Sequence, residues 1–147
     1  MNNKNYVVIM IFNKKYDKVL LVKRNKKTYK NCWNGIGGKI NENETIIEAA
    51  IRESKEETGI SLNDPKLLVT YIYPKNNPLN SNTHLHVIYC NSNEVEVPDN
   101  EEGHYEWKNI DFVMNNLSTD IAGLSNLNQF VKEILDIENI KKFYQQN

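Results

Sequence analysis

The stretch Gly38-Lys-Ile-Asn-Glu-Asn-Glu44-Thr-Ile-Ile-Glu-Ala-Ala-Ile-Arg52-Glu53-Ser-Lys-Glu56-Glu57-Thr-Gly59-Ile60 decides the fold. Residues 45–58 within it predict a helix. Thr45 with Glu48 makes a capping box, and Gly59 supplies a left-handed stop. Ile47, Ala50, Ile51, Ser54 and Thr58 recur at helical spacing and predict the packing face. On the same wheel Glu56 and Glu57 fall about 60° and 40° either side of Glu53. Three carboxylates therefore share one narrow face, expected about a quarter-turn from the packing stripe. Like charges this close repel by a few tenths of a kcal/mol per pair. Hard divalent cations, which take oxygen ligands and substrate phosphates, resolve that repulsion. Arg52 borders the face and can orient a glutamate through paired hydrogen bonds. Gly37 and Gly38, just upstream, can bring a bare backbone carbonyl to the same ions.

Outward from the helix, residues 6–12 (Tyr-Val-Val-Ile-Met-Ile-Phe) and 19–24 (Val-Leu-Leu-Val-Lys-Arg) predict a β-hairpin across a polar turn. Residues 33–40 (Trp-Asn-Gly-Ile-Gly-Gly-Lys-Ile) are too glycine-rich for a helix and predict a short strand or turn. Residues 67–73 and 85–91 predict strands joined by an Asn- and Pro-rich loop, and residues 105–108 another. Leu124, Leu127, Val131, Ile134 and Leu135 mark a second helix over 124–137. The order β, β, β, α, β, β, β, α predicts an α/β protein with a mixed sheet and helices packed on it.

The chain has 147 residues, which predicts one domain over 1–147. Its 39% hydrophobic and 25% charged content fits a globular chain and excludes a disordered one. The longest apolar run, residues 6–12, is far short of the ~20 residues of a membrane span. With no apolar leader near Met1, the expected location is cytoplasmic. Cys32 and Cys90 are widely spaced and predict thiols rather than a metal pair. The net charge of −1 hides a segregation, with +7 over residues 14–30 and −4 over residues 42–57. A basic segment beside an acidic one suits a polyanion held through divalent cations. The basic segment matches no nucleic-acid-binding motif. His84 and His86 alternate on one predicted strand and are expected on its polar face, not as a metal pair.

The stretch from Gly38 to Ile60 resembles a Nudix box: Gly, five residues, Glu, seven residues, Arg-Glu-hydrophobic-any-Glu-Glu-any-Gly-hydrophobic. All fixed positions match except Ser54, which stands where the family prefers an apolar residue. The resemblance implies a Nudix-type α/β/α sandwich and an enzyme that hydrolyses a nucleoside diphosphate linked to another group, with Mg²⁺ or Mn²⁺. Carried over by position, it implies Glu53, Glu56 and Glu57 as metal ligands. Gly38 would offer its carbonyl, Glu44 would support the site, and Arg52 would orient the carboxylates. The general base varies between subfamilies and falls on Glu53, Glu56, Glu101 or Glu102. Glu102, shortly before Trp107, lies where several relatives bring in an extra ligand.

Residues 32–39 are similar to the Trp-Asn-Gly-x-Gly-Gly-Lys stretch of MutT-type oxidised-purine nucleoside triphosphatases. That likeness implies 8-oxo-dGTP as substrate, converted to a monophosphate and pyrophosphate, with Asn34 reading the base and Lys23 and Lys39 assisting. Trp33 itself is expected in the core. Asp120 or Asn116 would supply a further purine contact. Pro74, near the offset typical of ADP-ribose hydrolases, supports an alternative substrate. A non-catalytic nucleotide sensor is a third reading, disfavoured because the box glutamates are intact. The expected partner is a small nucleotide, with no membrane, nucleic acid limited to RNA 5′ ends, and a monomer or homodimer.

Overall fold

The computed structural model describes residues 4–26, 30–73, 82–115 and 127–146. Its elements are β1 (Lys4–Asn13), β2 (Lys18–Arg24), β3 (Trp33–Asn34), β4 (Ile36–Lys39), α1 (Ile46–Thr58), β5 (Lys66–Tyr73), β6 (Thr83–Ser92), β7 (Gly103–Asn109), α2 (Ile110–Asn115) and α3 (Leu127–Gln146). Among the described residues seven strands form one mixed sheet. β1 is its spine. It runs parallel to β6 along its whole length, and β5 closes that edge antiparallel to β6.

The expected hairpin of β1 and β2 meets only at Phe12 and Val19 before the strands part. β4 fills the gap on β1, pairing Tyr6–Ile9 with Lys39–Ile36. β3 and β7 pair instead with β2. The single strand or turn expected over 33–40 is therefore two short strands serving two parts of a splayed sheet.

β1 is buried on both faces, as its unbroken apolar run requires. Val8, Met10 and Phe12 face a core closed by Leu127, Phe130, Val131 and Ile134 of α3 and Val113 of α2. Val7, Ile9 and Ile11 face the opposite core with Ala49 and Ala50 of α1. The result is the expected α/β/α sandwich. α2 was not foreseen; six residues carry too little periodicity to announce a helix. Leu124 lies outside the described residues.

α1 begins and ends as expected. Thr45 Oγ1 accepts from the Glu48 backbone N–H at 3.0 Å while the Glu48 carboxylate accepts from the Thr45 N–H at 3.0 Å. Gly59 closes the helix at φ +77°. The packing stripe is rotated from expectation: Ala49, Ala50 and Ser54 are buried, whereas Ile51 is 42% exposed. The two alanines let the helix approach the sheet closely, and this choice of contact line turns Ile51 out and Glu57 in. Fully buried Ser54, the departure from the family pattern, donates its hydroxyl to the Ile60 carbonyl at 3.0 Å, so its polarity is satisfied. Among the described residues no helix is long and apolar enough to cross a membrane.

Candidate functional site

The face of α1 that carries Arg52, Glu53, Glu56 and Glu57 lies against β4 and the turn before β7. Arg52 organises it. Its Nε and Nη2 bind the two oxygens of Glu44 at 2.6 and 2.9 Å, a bidentate pair. Nη1 donates to Glu53 at 2.9 Å and Glu56 at 3.3 Å, and Nη2 also reaches the Lys39 carbonyl at 3.0 Å. One guanidinium thus ties together the loop before α1, the helix and the end of β4. The bond to Arg52 holds the Glu44 carboxyl down to about 2.

The remaining carboxylates sit in the opposite electrostatic situation. Glu57 points inward, and its Oε2 accepts from the Gly37 backbone N–H at 3.1 Å. Burial, then the charges of Glu53 and Glu102, push its pKa up to about 8, against the Gly37 N–H and Arg24. Burial also raises Glu53, opposed by Arg52. Gly38 leaves room for the Glu53 carboxylate: a Cβ there would lie 2.4 Å from Glu53 Oε1. Glu56 is the exposed member of the set. Glu102 enters from the turn 100–103, with Lys26 Nζ 3.5 Å from its carboxylate.

This donor set fits a hard divalent cation. Buried, mutually repelling carboxylates gain most from a counter-charge, and all the donors are oxygens. Among the described residues no three His, Cys, Asp or Glu side chains already converge as a finished cage. Glu53 and Glu56 share Nη1 of Arg52, which holds both carboxylates on the same side of the guanidinium.

The other expected residues are scattered around this centre. Lys23 is exposed on β2, its Nζ 6.0 Å from the Trp33 ring centroid. Trp33 is buried as expected, with Lys108 Nζ 4.5 Å over its ring and Phe112 edge-on at 6.1 Å. Asn34 spends its side-chain carbonyl on the Gly35 N–H at 2.8 Å, a local turn contact. Lys39 projects from the end of β4 and is exposed. Asp120, Asn116 and Pro74 lie outside the described residues.

His86, expected on the polar face of its strand, is instead buried, with its polarity satisfied: Nδ1 pairs with Thr70 Oγ1 at 2.8 Å and Nε2 with Asn5 Oδ1 at 3.2 Å. His84 stands edge-on to it. His104 hydrogen-bonds Asp99 at 2.7 Å. Sequence reasoning missed Asn100, which joins the Glu102 turn to α1 by a 2.8 Å bond to the Glu57 carbonyl. A lone Asn between acidic residues carries no signal that could have found it.

Comparison with known proteins gives a family and a fold. The family model described as NUDIX domain matches residues 1–122. An ADP-ribose pyrophosphatase of Methanocaldococcus jannaschii is 41% identical over 64 residues, 44% of this chain and 38% of that protein. An 8-oxo-dGDP phosphatase of Homo sapiens is 38% identical over 63 residues, 43% of this chain and 20% of that protein. The chain thus spans well under half the length of these two relatives. The crystal structure of the mutator MutT protein from Bacillus halodurans superposes with a TM-score of 0.70 at 25% identity, covering 90% of this chain and 82% of that one.

Proposed function

The chain belongs to the NUDIX domain family, and from that premise we propose that it is a divalent-cation-dependent hydrolase of nucleotide phosphoanhydrides. Residues 1–147 act as one catalytic domain, a cytoplasmic monomer or homodimer that acts on a small nucleotide. The observation that carries this reading is the carboxylate set of α1, ordered by Arg52 and joined by Glu102. Glu53, Glu56, Glu57 and Glu102, with the Gly38 carbonyl, would hold Mg²⁺ or Mn²⁺. When bound, the ion offsets diphosphate charge and lowers the pKa of a water. Arg52 keeps Glu53 and Glu44 in register across the helix and its preceding loop. Glu53 or Glu56 accepts the proton of the attacking water. A water oxygen–phosphorus bond forms as a bridging phosphorus–oxygen bond breaks, giving a monophosphate and pyrophosphate from a nucleoside triphosphate. Exposed Lys23 and Lys39 supply positive charge to the phosphates.

We take 8-oxo-dGTP as the substrate. The Trp33-Asn34-Gly35 stretch, the MutT-like fold and the likeness to an 8-oxo-dGDP phosphatase support this choice. Asn34 and Asp120 would read the purine. The likeness to an ADP-ribose pyrophosphatase favours ADP-ribose as a second reading. A panel of 8-oxo-dGTP, dGTP, other dNTPs, ADP-ribose and 5′-triphosphate RNA, with Mg²⁺ and scored by chromatography of the products (pyrophosphate from a triphosphate, AMP and ribose 5-phosphate from ADP-ribose), separates them. Preference for 8-oxo-dGTP over dGTP is the expected result. Preference for ADP-ribose would transfer the assignment to the second reading. Cation binding without turnover of any member would leave a nucleotide sensor.

A further inference from the structure

Among the described residues, the side chain of Asn100 fastens the turn that delivers Glu102 to α1. Nδ2 of Asn100 donates to the Glu57 carbonyl at 2.8 Å. That carbonyl is one of the last four of the helix, which have no partner inside it. Oδ1 of Asn100 accepts from the Glu102 backbone N–H at 2.9 Å and from the Tyr105 hydroxyl at 3.2 Å. Asn100 and Gly103 also exchange both backbone hydrogen bonds, at 3.1 and 3.2 Å, closing a turn with Glu101 and Glu102 at its tip.

The other side of the turn rests on β2. The Glu102 carbonyl accepts from the Asn25 N–H at 2.9 Å. Gly103 lies at φ +150°, where a Cβ would fall 1.9 Å from the Lys23 carbonyl oxygen. Only glycine lets the turn lie this close. The backbone of Glu102 is thus held from both flanks. Its charge is felt at both Glu53 and Glu57.

We propose that Asn100 is a positioning residue, whose amide sets the separation between Glu102 and the Glu53–Glu57 pair and through it the affinity of the carboxylates for a divalent cation. Glu57 is the joint: its carbonyl takes the Asn100 amide while its carboxylate faces the site. The proposal rests on the cation-dependent reading above and adds a residue that touches neither cation nor substrate.

The test is Mn²⁺ binding to the full chain without nucleotide, read from the electron paramagnetic resonance of free Mn²⁺, with melting temperature measured alongside. Asn100→Ala should weaken Mn²⁺ binding about 10-fold, the usual effect of losing an outer-shell partner. Glu102→Gln should do the same. The double variant should bind no more weakly than Glu102→Gln alone, because Asn100 acts through Glu102. Tyr105→Phe, which removes one hydroxyl, should weaken binding a few-fold. Unchanged Mn²⁺ affinity in Asn100→Ala with a lowered melting temperature would reduce Asn100 to a helix cap and overturn the proposal. So would additive losses in the double variant. If Asn100→Ala fails to fold, unchanged affinity in Tyr105→Phe overturns it instead. A wild-type chain that takes up no Mn²⁺ would remove the cation-dependent reading itself, a distinguishable result.

Discussion

Gly37 and Gly38 are neighbours in β4, yet a methyl group at each would meet a different obstacle. At Gly37 the Cβ would lie 2.1 Å from the Val7 carbonyl oxygen, backbone that cannot give way. Gly37→Ala should cost about 2–3 kcal/mol of stability by overpacking, measured by denaturant unfolding. At Gly38 the obstacle is the end of the flexible Glu53 side chain. Gly38→Ala should fold near wild-type stability and lose about 100-fold in turnover, since a misplacement near 1 Å carries that cost. Near-normal turnover would remove Glu53 from the site. Glu57 carries the pH signature. With its pKa near 8 in the folded chain against the ordinary 4.5, the folded state holds a proton that the unfolded state has lost between those values. Stability therefore declines as pH rises through that window. Glu44, near 2, works the other way, and its contribution declines as pH falls from 4.5. Without divalent cations, Glu57→Gln should gain melting temperature over wild type as pH goes from 5 to 8. A constant difference would mean that the Glu57 carboxyl is not desolvated.

At the scale of the element, α1 shows how far periodicity reaches. Its limits were legible because caps are local: a Thr side chain and a glycine at φ +77° act within one turn. The exact line of contact was not, because it depends on which residues let the helix closest to β4 and β1. The short side chains Ala49 and Ala50 won over the larger Ile51. Two substitutions separate these readings. Ala49, fully buried and outside the stripe expected from spacing, is the first: Ala49→Leu should destabilise by about 1–3 kcal/mol. Ile51→Gln should stay within about 0.5 kcal/mol, as surface changes do. The reverse ranking would restore the stripe expected from spacing alone. The same rotation explains why the carboxylates do not sit a quarter-turn from the packing. Glu57 lies within the packed face, which is the source of its raised pKa.

Across the whole molecule, the candidate site stands where the sheet splays. β1 and β2 share one register pair, β4 follows β1, and β7 follows β2. The box helix packs against β4, while Glu102 arrives with β7. A divalent cation bridging Glu53, Glu57 and Glu102 would join these two parts of the sheet. Mg²⁺ should therefore raise the melting temperature by mass action, more at pH 8 than at pH 5 because ionised carboxylates bind it. Chelator should reverse the gain; no response at either pH would count against a shared site. The sequence by itself determined the helix with its caps, a strand at β1, the α/β class and the carboxylate spacing on one helix. Each is written in residues that stand close together along the chain, so a period, a cap or the order of elements exposes it. Only the tertiary structure decided that residues 33–39 divide between two strands, that Glu57 turns inward, and that Asn100 ties the Glu102 turn to α1. Those depend on residues from different elements meeting in space, 20 positions apart for Glu57 and Gly37 and 43 for Asn100 and Glu57, and no local pattern records such a meeting.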